Sequence, residues 1–298
     1  MSEDFSFFLD LMLNGASIGL MYSLIALGFV LVYKATDAIN FAQGEFVMMA
    51  GLIAASVLGI EGAWVLAAVV VTLAVMIGFG FGLERVVLRP LLGRPVVAVI
   101  MATIGLAAML RGLTPIIFGG ETRALNLPIG DEPISIGPAS LPPIKLLGAA
   151  VAILFFLGFT WFFKKSRMGV AMRAVADNQQ VAQAMGINVE RYFAIAWALT
   201  GVVSAFGGII WGSMLGVDVQ IAVVGLKVFP VVILGGLDSI GGALVGGIII
   251  GLIESLAAGY LDPYVGGGTK DFAPYVLMIV VLMVRPYGMF GRRQIERV

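Results

Sequence analysis

The sequence has no cysteine and no histidine. The first absence excludes disulfides and thiolate metal sites. The second removes the commonest metal ligand and the usual proton carrier near neutral pH. Charge is scarce as well: 12% of residues are charged against 60% hydrophobic, where a soluble domain runs nearer 25% charged and 45–50% apolar. Lys plus Arg and Asp plus Glu number 18 each, so no basic stripe of the kind that binds nucleic acid is expected. There is no GxxxxGK[ST] run, no HExxH and no GxSxG. The chain therefore offers no phosphate loop for ATP hydrolysis and no familiar hydrolytic centre, and it is not read as an enzyme.

What is present is apolar length. Over 298 residues the mean hydropathy is +1.05, more apolar surface than one water-soluble core hides, and lipid is its natural solvent. A spanning helix needs roughly 20 mostly apolar residues to cross about 30 Å of hydrocarbon. Segments 11–33, 44–58, 64–83, 96–118, 146–163, 192–215, 222–237, 240–260 and 273–285 meet or approach this. The expected fold is an all-α membrane bundle of about 8–10 spans in one domain; the second, seventh and ninth segments are short enough to be broken, tilted or re-entrant. Glu3, Asp4 and Asp10 precede the first segment, unlike the basic start of a cleaved signal peptide, so that helix is expected to be retained.

The connections give an orientation. Arg85, Arg89 and Arg94, then Lys164, Lys165, Arg167 and Arg173, then Arg285, Arg292, Arg293 and Arg297 form three basic clusters. The alternate connections carry Glu61, then Glu121, Asp131 and Glu132, then Asp262 and Asp271. Basic connections stay in the cytoplasm, which places the N-terminus outside and the C-terminus inside after nine crossings. The 119–145 connection, with Pro128, Pro133, Pro138, Pro142 and Pro143, reads as an ordered or extended outer cover. Met168 to Met185, Ala-rich and Pro-free, reads as a short helix on the inner surface. Glycines four apart (Gly15 and Gly19, Gly78 and Gly82, Gly208 and Gly212, Gly242 and Gly246, Gly247 and Gly251) are expected to let helix backbones approach closely.

Polar groups in or beside spans are costly in lipid and are the candidates for function. Asn40, Gln43 and Glu45 stand at the mouth of the second segment. Asn40 and Gln43 would share a helix face; they read either as a cap or interhelical hydrogen bond, or as lining for a solute path. Arg111, deep in the fourth segment, reads as a snorkelling side chain. Lys227 and Glu254 would face a wet cavity or each other, and Asp238 and Ser239 fall where water should begin.

These residues also carry a resemblance. Ile39-Asn40-Phe41-Ala42-Gln43-Gly44-Glu45 resembles the INFAHGE/INFAQGE signature of branched-chain amino-acid ABC permeases of the LivH type. Glu84-Arg85 with Arg89-Pro90-Leu91 is similar to that family's ER…RPL element. Ser166-Arg167-Met168-Gly169, Arg173-Ala174 and Met185-Gly186-Ile187-Asn188 are similar to its cytoplasmic loop. Leu234 to Ala243 resembles its LGGxGSIxGA turn. Gln43 stands where histidine is frequent, which removes any titration there, and Asp238 where glycine is usual.

The resemblance implies one permease subunit of an ABC importer in the bacterial inner membrane, carrying branched-chain or related amino acids. It would act with a second homologous permease, two ATPase subunits and an extracytoplasmic amino-acid-binding protein. It would hold no cofactor of its own, ATP being used by the partners. The 168–186 helix would then dock on an ATPase, with Arg167 and Arg173 as surface contacts, Ala174 and Ala182 on the docked face, and Gly169 and Gly186 breaking its ends. A urea or short-amide permease of the same superfamily is the nearest alternative. An ion-coupled secondary transporter is a further one, weakened by the lack of His and the scarcity of intramembrane acids.

Tag-accessibility mapping is expected to place residues 85–94 and 164–173 on the same membrane face; tags reporting from opposite faces would contradict the orientation.

Overall fold

The computed structural model describes residues 3–91, 94–130, 132–137 and 139–291. Asp131, Pro138, Arg292, Arg293 and Arg297, named above, lie outside the described residues. Each of the nine apolar segments coincides with a helix. Among the described residues six helices are long and apolar enough to cross a membrane: α1 (Glu3–Thr36), α3 (Val65–Leu83), α4 (Val96–Phe118), α5 (Pro143–Lys165), α8 (Val189–Leu215) and α10 (Ile240–Tyr260). The three segments read as short are short: α2 (Gln43–Leu58) has 16 residues, α9 (Val223–Gly235) 13, and α12 (Thr269–Val284) 16. At about 1.5 Å per residue none of these reaches 30 Å. The connection between α4 and α5 contains a small antiparallel pair of strands, β1 (Ile134–Ile136) with β2 (Ala139–Leu141).

On the other side of the sequence pattern, Met168–Met185 is not one helix but two, α6 (Arg167–Asp177) and α7 (Gln179–Ala184). The break is Asn178. Its backbone is extended and its side chain accepts from Val181 N, so a local hydrogen bond replaces a helical one. A last short helix, α11 (Asp262–Val265), precedes α12 across three left-handed glycines, Gly266, Gly267 and Gly268. There the Asp262 carboxylate accepts from Thr269 N at 2.8 Å and from the Thr269 hydroxyl, and these bonds hold its pKa below the ordinary range.

The chain divides into two compact units. One comprises the described residues among 27–128 and 157–226. Its centre is α2 and α8, both buried nearly all round, which is why their sequences show no polar face. Phe46 (α2) packs its ring 5.8 Å from Trp197 (α8) and 5.1 Å from Phe79 (α3). α3 lies against α8 through Gly80 and Gly201: a Cβ on Gly80 would stand 2.4 Å from the Trp197 carbonyl oxygen, and one on Gly201 2.2 Å from that of Met76. α2 crosses α8 at Gly208, where a Cβ would meet the Val47 carbonyl at 2.4 Å.

The other unit comprises the described residues among 1–26, 129–156 and 227–298. Here two glycine pairs meet each other. Cβ atoms on Gly19 and Gly251 would fall 2.4 Å and 2.3 Å from the backbone oxygens of Gly247 and Gly15. α1 and α10 therefore run in backbone contact, fastened by Ser23 Oγ donating to Leu244 O at 3.2 Å and Ser255 Oγ to Leu11 O at 2.8 Å. Gly242 and Gly246 do the same for α10 against α9, opposite Gly235 O and Val231 O.

Gly78 and Gly82 depart from the expectation, since a Cβ at either would meet nothing within 4 Å. The contact face of α3 is set by Met76 and Gly80, and at 3.6 residues per turn Gly78 lies about half a turn away from it.

Gly80→Ala is therefore expected to destabilise the chain by about 1–3 kcal/mol, the usual cost of overpacking. Gly78→Ala is expected to be neutral or slightly stabilising through helix propensity. Thermal unfolding in detergent reads the difference, and equal effects would contradict the assigned face.

Candidate functional site

The loop from Asp37 to Ala42 delivers the 39–45 signature into the interior of its unit. Asn40 and Gln43 have no exposed surface and Glu45 has 2%. α2 begins at Gln43 with Ala42 at its N-cap, and no side chain caps it there. Asn40 instead closes a local turn, its Oδ1 accepting from Ala42 N at 3.0 Å, and its Nδ2 reaches Gln43 Oε1 at 3.5 Å. Gln43 Nε2 donates to Ser204 Oγ on α8 at 3.1 Å.

The amide of Gln43 occupies a notch at Gly28 of α1: a Cβ on Gly28 would fall 2.2 Å from Gln43 Nε2. One helical turn before Ser204, Thr200 Oγ1 donates to the Gly28 carbonyl at 3.3 Å. Three helices thus meet on one buried amide. Of the readings open from sequence, interhelical hydrogen bonding is the arrangement present in this conformation.

The rest of the signature binds further elements. Thr103 of α4 accepts from Phe41 N and donates to Ile39 O, both at 3.3 Å. Gly44 lies in backbone contact with the start of α9, because a Cβ there would stand 2.2 Å from Ala222 O. Glu45 forms an ion pair with Arg111 of α4. Arg111, whose side chain is 46% exposed, bridges from the protein's exterior to a carboxylate that is almost wholly buried. Beyond the snorkelling that its sequence position suggests, it has a partner, a buried acid 66 residues earlier in the chain. Ser204, Thr200 and Gly28 escaped the sequence reading because single small residues in apolar helices carry no pattern.

The connection between α5 and α8 is ordered by caps. Ser166 accepts from Gly169 N at 2.8 Å, and Asn188 accepts from Arg191 N at 3.0 Å to open α8. Gly186 (φ +83°) ends α7 as expected, with Gly186 N donating to Gln183 O and Ile187 N to Ala182 O. This is the paired bonding that terminates helices at a left-handed glycine. Gly169 breaks nothing: it sits in the first turn of α6, where a Cβ would be 2.3 Å from Phe162 O, so its role is close approach to α5. Arg167 and Arg173 are exposed and Ala174 is half-buried. Ala182 is buried at 3% and faces inward, contrary to the expected docked face. The exposed apolar side chains are Met168, Val170, Val181 and Met185.

Lys227 and Glu254 do not pair with each other. Lys227 Nζ donates to Asp271 Oδ1 at 2.5 Å, and Glu254 takes a hydrogen bond from Tyr22 while its Oε1 is buried without a partner. No cluster of three or more Asp or Glu suited to a metal ion occurs among the described residues.

These features are those of a polytopic helical membrane protein, and comparison gives the particular family. Residues 11–282 match the family model "Branched-chain amino acid transport system / permease component", and the chain belongs to that family. It is 33% identical to the high-affinity branched-chain amino acid transport system permease protein LivH of Escherichia coli K12, covering 100% of both chains. It is 30% identical to BraD, the corresponding permease protein of Pseudomonas aeruginosa, over 98% of each. Ribose import permease protein RbsC of Escherichia coli K12 shares 28% identity over 88% of this chain and 79% of its own.

Arg111→Ala strands the buried Glu45 carboxylate. It is expected to destabilise more than the double variant Glu45→Gln, Arg111→Gln, by about 1–2 kcal/mol, low in the range for an orphaned charge because Arg111 is half exposed. Unfolding midpoints in detergent measure the gap, and equal losses would contradict the pairing.

Proposed function

We propose that this chain is the permease subunit of an ATP-binding-cassette importer that moves branched-chain or related hydrophobic amino acids into the cell. It works with a second homologous permease, two ATPase subunits and an extracytoplasmic binding protein, in the inner membrane of a bacterium. Its N-terminus is outside and its C-terminus cytoplasmic. It holds no cofactor; ATP is bound and split by the partners. The observation that carries this reading is the family match over nearly the whole chain. The twice-capped pair α6–α7, which presents an exposed face on the basic side of the sequence, supports it.

In this reading the face bearing Met168, Val170, Val181 and Met185, flanked by Arg167 and Arg173, docks on an ATPase. A small apolar patch with charged edges suits such a protein interface. Ala174 and Ala182 support the pair from behind, and Gly169 and Gly186 fix its angle to α5 and α8. Asn40, Gln43 and Glu45 border the solute route only in a state where the Gln43–Ser204 bond has opened, because both amides are internally bonded when it is closed.

The test is reconstitution into liposomes with the ATPases and binding protein, comparing uptake of leucine, urea and ribose. Saturable leucine uptake that requires ATP is expected, and Met185→Asp should lower it by about tenfold, as loss of an interface anchor does. Uptake driven by an ion gradient without ATP would contradict the reading. Uptake of urea or ribose in place of leucine would keep the importer and change its substrate.

A further inference from the structure

We propose that Arg89 is a positioning residue that carries the movement of the α6–α7 pair into α3, through a strut that exists only because α3 ends in a π-turn. This rests on the importer reading and deepens it.

α3 does not end at Leu83. It continues through a π-helical turn, Glu84–Leu88, and a 3₁₀ turn, Arg89–Leu91. In an α-helix, residues five apart are about 140° from facing, at 3.6 residues per turn. A π-turn bonds residue i to i+5, and here Arg89 N donates to Glu84 O. That spacing brings both side chains to one face. Arg89 Nε and Nη2 grip the two oxygens of Glu84 at 3.3 and 3.0 Å. Such two-point arginine–carboxylate pairs fix orientation as well as charge. Glu84 is buried, with 1% of its side chain exposed, and removing its arginine would leave the carboxylate without an ion-pair partner.

The remaining arm of the fork reaches elsewhere. Arg89 Nη1 lies 3.2 Å from Glu190 Oε2, and Glu190 is in the first turn of α8. Between Met185, the exposed C-cap of α7, and Glu190 there are only the hydrogen-bonded turn at Gly186–Ile187, the Asn188 cap and Val189, the first residue of α8. That link is short and has no slack residue. A push on α7 therefore reaches Glu190, then Arg89, then Glu84, and so the end of α3, whose Gly80 and Met76 lie in backbone contact with α8. If the π-turn relaxed to α-helix, Glu84 and Arg89 would separate around the axis and the strut would open. The turn and the ion pairs stand or fall together.

The experiment uses the complete importer in liposomes and measures solute taken up per ATP hydrolysed, with the melting temperature of each variant. Glu190 is half exposed, at 52% of its side chain, and its substitution leaves Glu84 paired. Glu190→Gln is expected to lower uptake per ATP by about two- to fivefold, the range a half-exposed ion pair supports, at an unchanged melting temperature. Glu190→Asp should lie between it and the wild type. An unchanged ratio in Glu190→Gln would overturn the strut, as would a loss of uptake that merely tracks a lowered melting temperature. A wild-type assembly that splits ATP without importing any solute would instead overturn the importer reading, and this proposal with it.

Discussion

The amide of Gln43 is the point on which one of the two compact units depends. It is wholly buried, sits in the notch that Gly28 leaves open, and donates to Ser204. In a chain surrounded by lipid, a buried amide without partners costs several kcal/mol, so it stays only where other helices supply those partners. Once Gln43 is held, the positions of its neighbours follow. α1 must present Gly28, α8 must present Thr200 and Ser204 on one face, and α2 must start at residue 43. The resemblance that the signature carries thus has a physical content. From Ile39 to Glu45, five residues fasten another element: Ile39, Phe41 and Glu45 hold α4, Gln43 holds α1 and α8, and Gly44 the entry to α9.

A second constraint is distance between backbones. Lipid gives no hydrophobic drive for one apolar helix to prefer another, so contact has to come from close packing and a few hydrogen bonds. The crossings of α1 with α10, α3 with α8, and α9 with α10 are all made through glycines whose missing Cβ atoms would overlap a carbonyl. Ser23 and Ser255 then add one bond each to a facing backbone oxygen. Two buried acids follow a parallel rule: Glu45 and Glu84 are each held by an arginine that is itself partly exposed, whereas Glu254 takes a hydrogen bond from Tyr22. The charge on each pair keeps one end near water or headgroups while the acid stays inside.

The spans were legible because length and apolarity are all that a bilayer asks of a helix, and the short segments were legible for the same reason. Registration was only half legible. The four-residue glycine pattern located the α1–α10 crossing but also picked out Gly78 and Gly82, which meet nothing, and passed over Gly80, which meets Trp197. A spacing rule marks a possible face without saying which face is used. The break at Asn178 and the inward aim of Ala182 were hidden because an Ala-rich polar stretch suits one helix or two. Pairings such as Arg111 with Glu45, or Arg89 with Glu190, join residues far apart in sequence, and no local signal announces them. Asp238 in place of the usual glycine has no structural explanation.

The most direct test of the buried amide as organising contact is a thermodynamic cycle on Gly28 and Gln43. A Cβ at residue 28 would occupy the space of the Gln43 amide, so Gly28→Ala should be strongly destabilising beside glutamine and much less so beside alanine. Unfolding free energies in detergent of the two single variants and the double are expected to show coupling of about 1 kcal/mol or more, the double being more stable than the sum predicts. Additive effects would mean that Gln43 and Gly28 do not share that space, and the account of the unit's interior would fail.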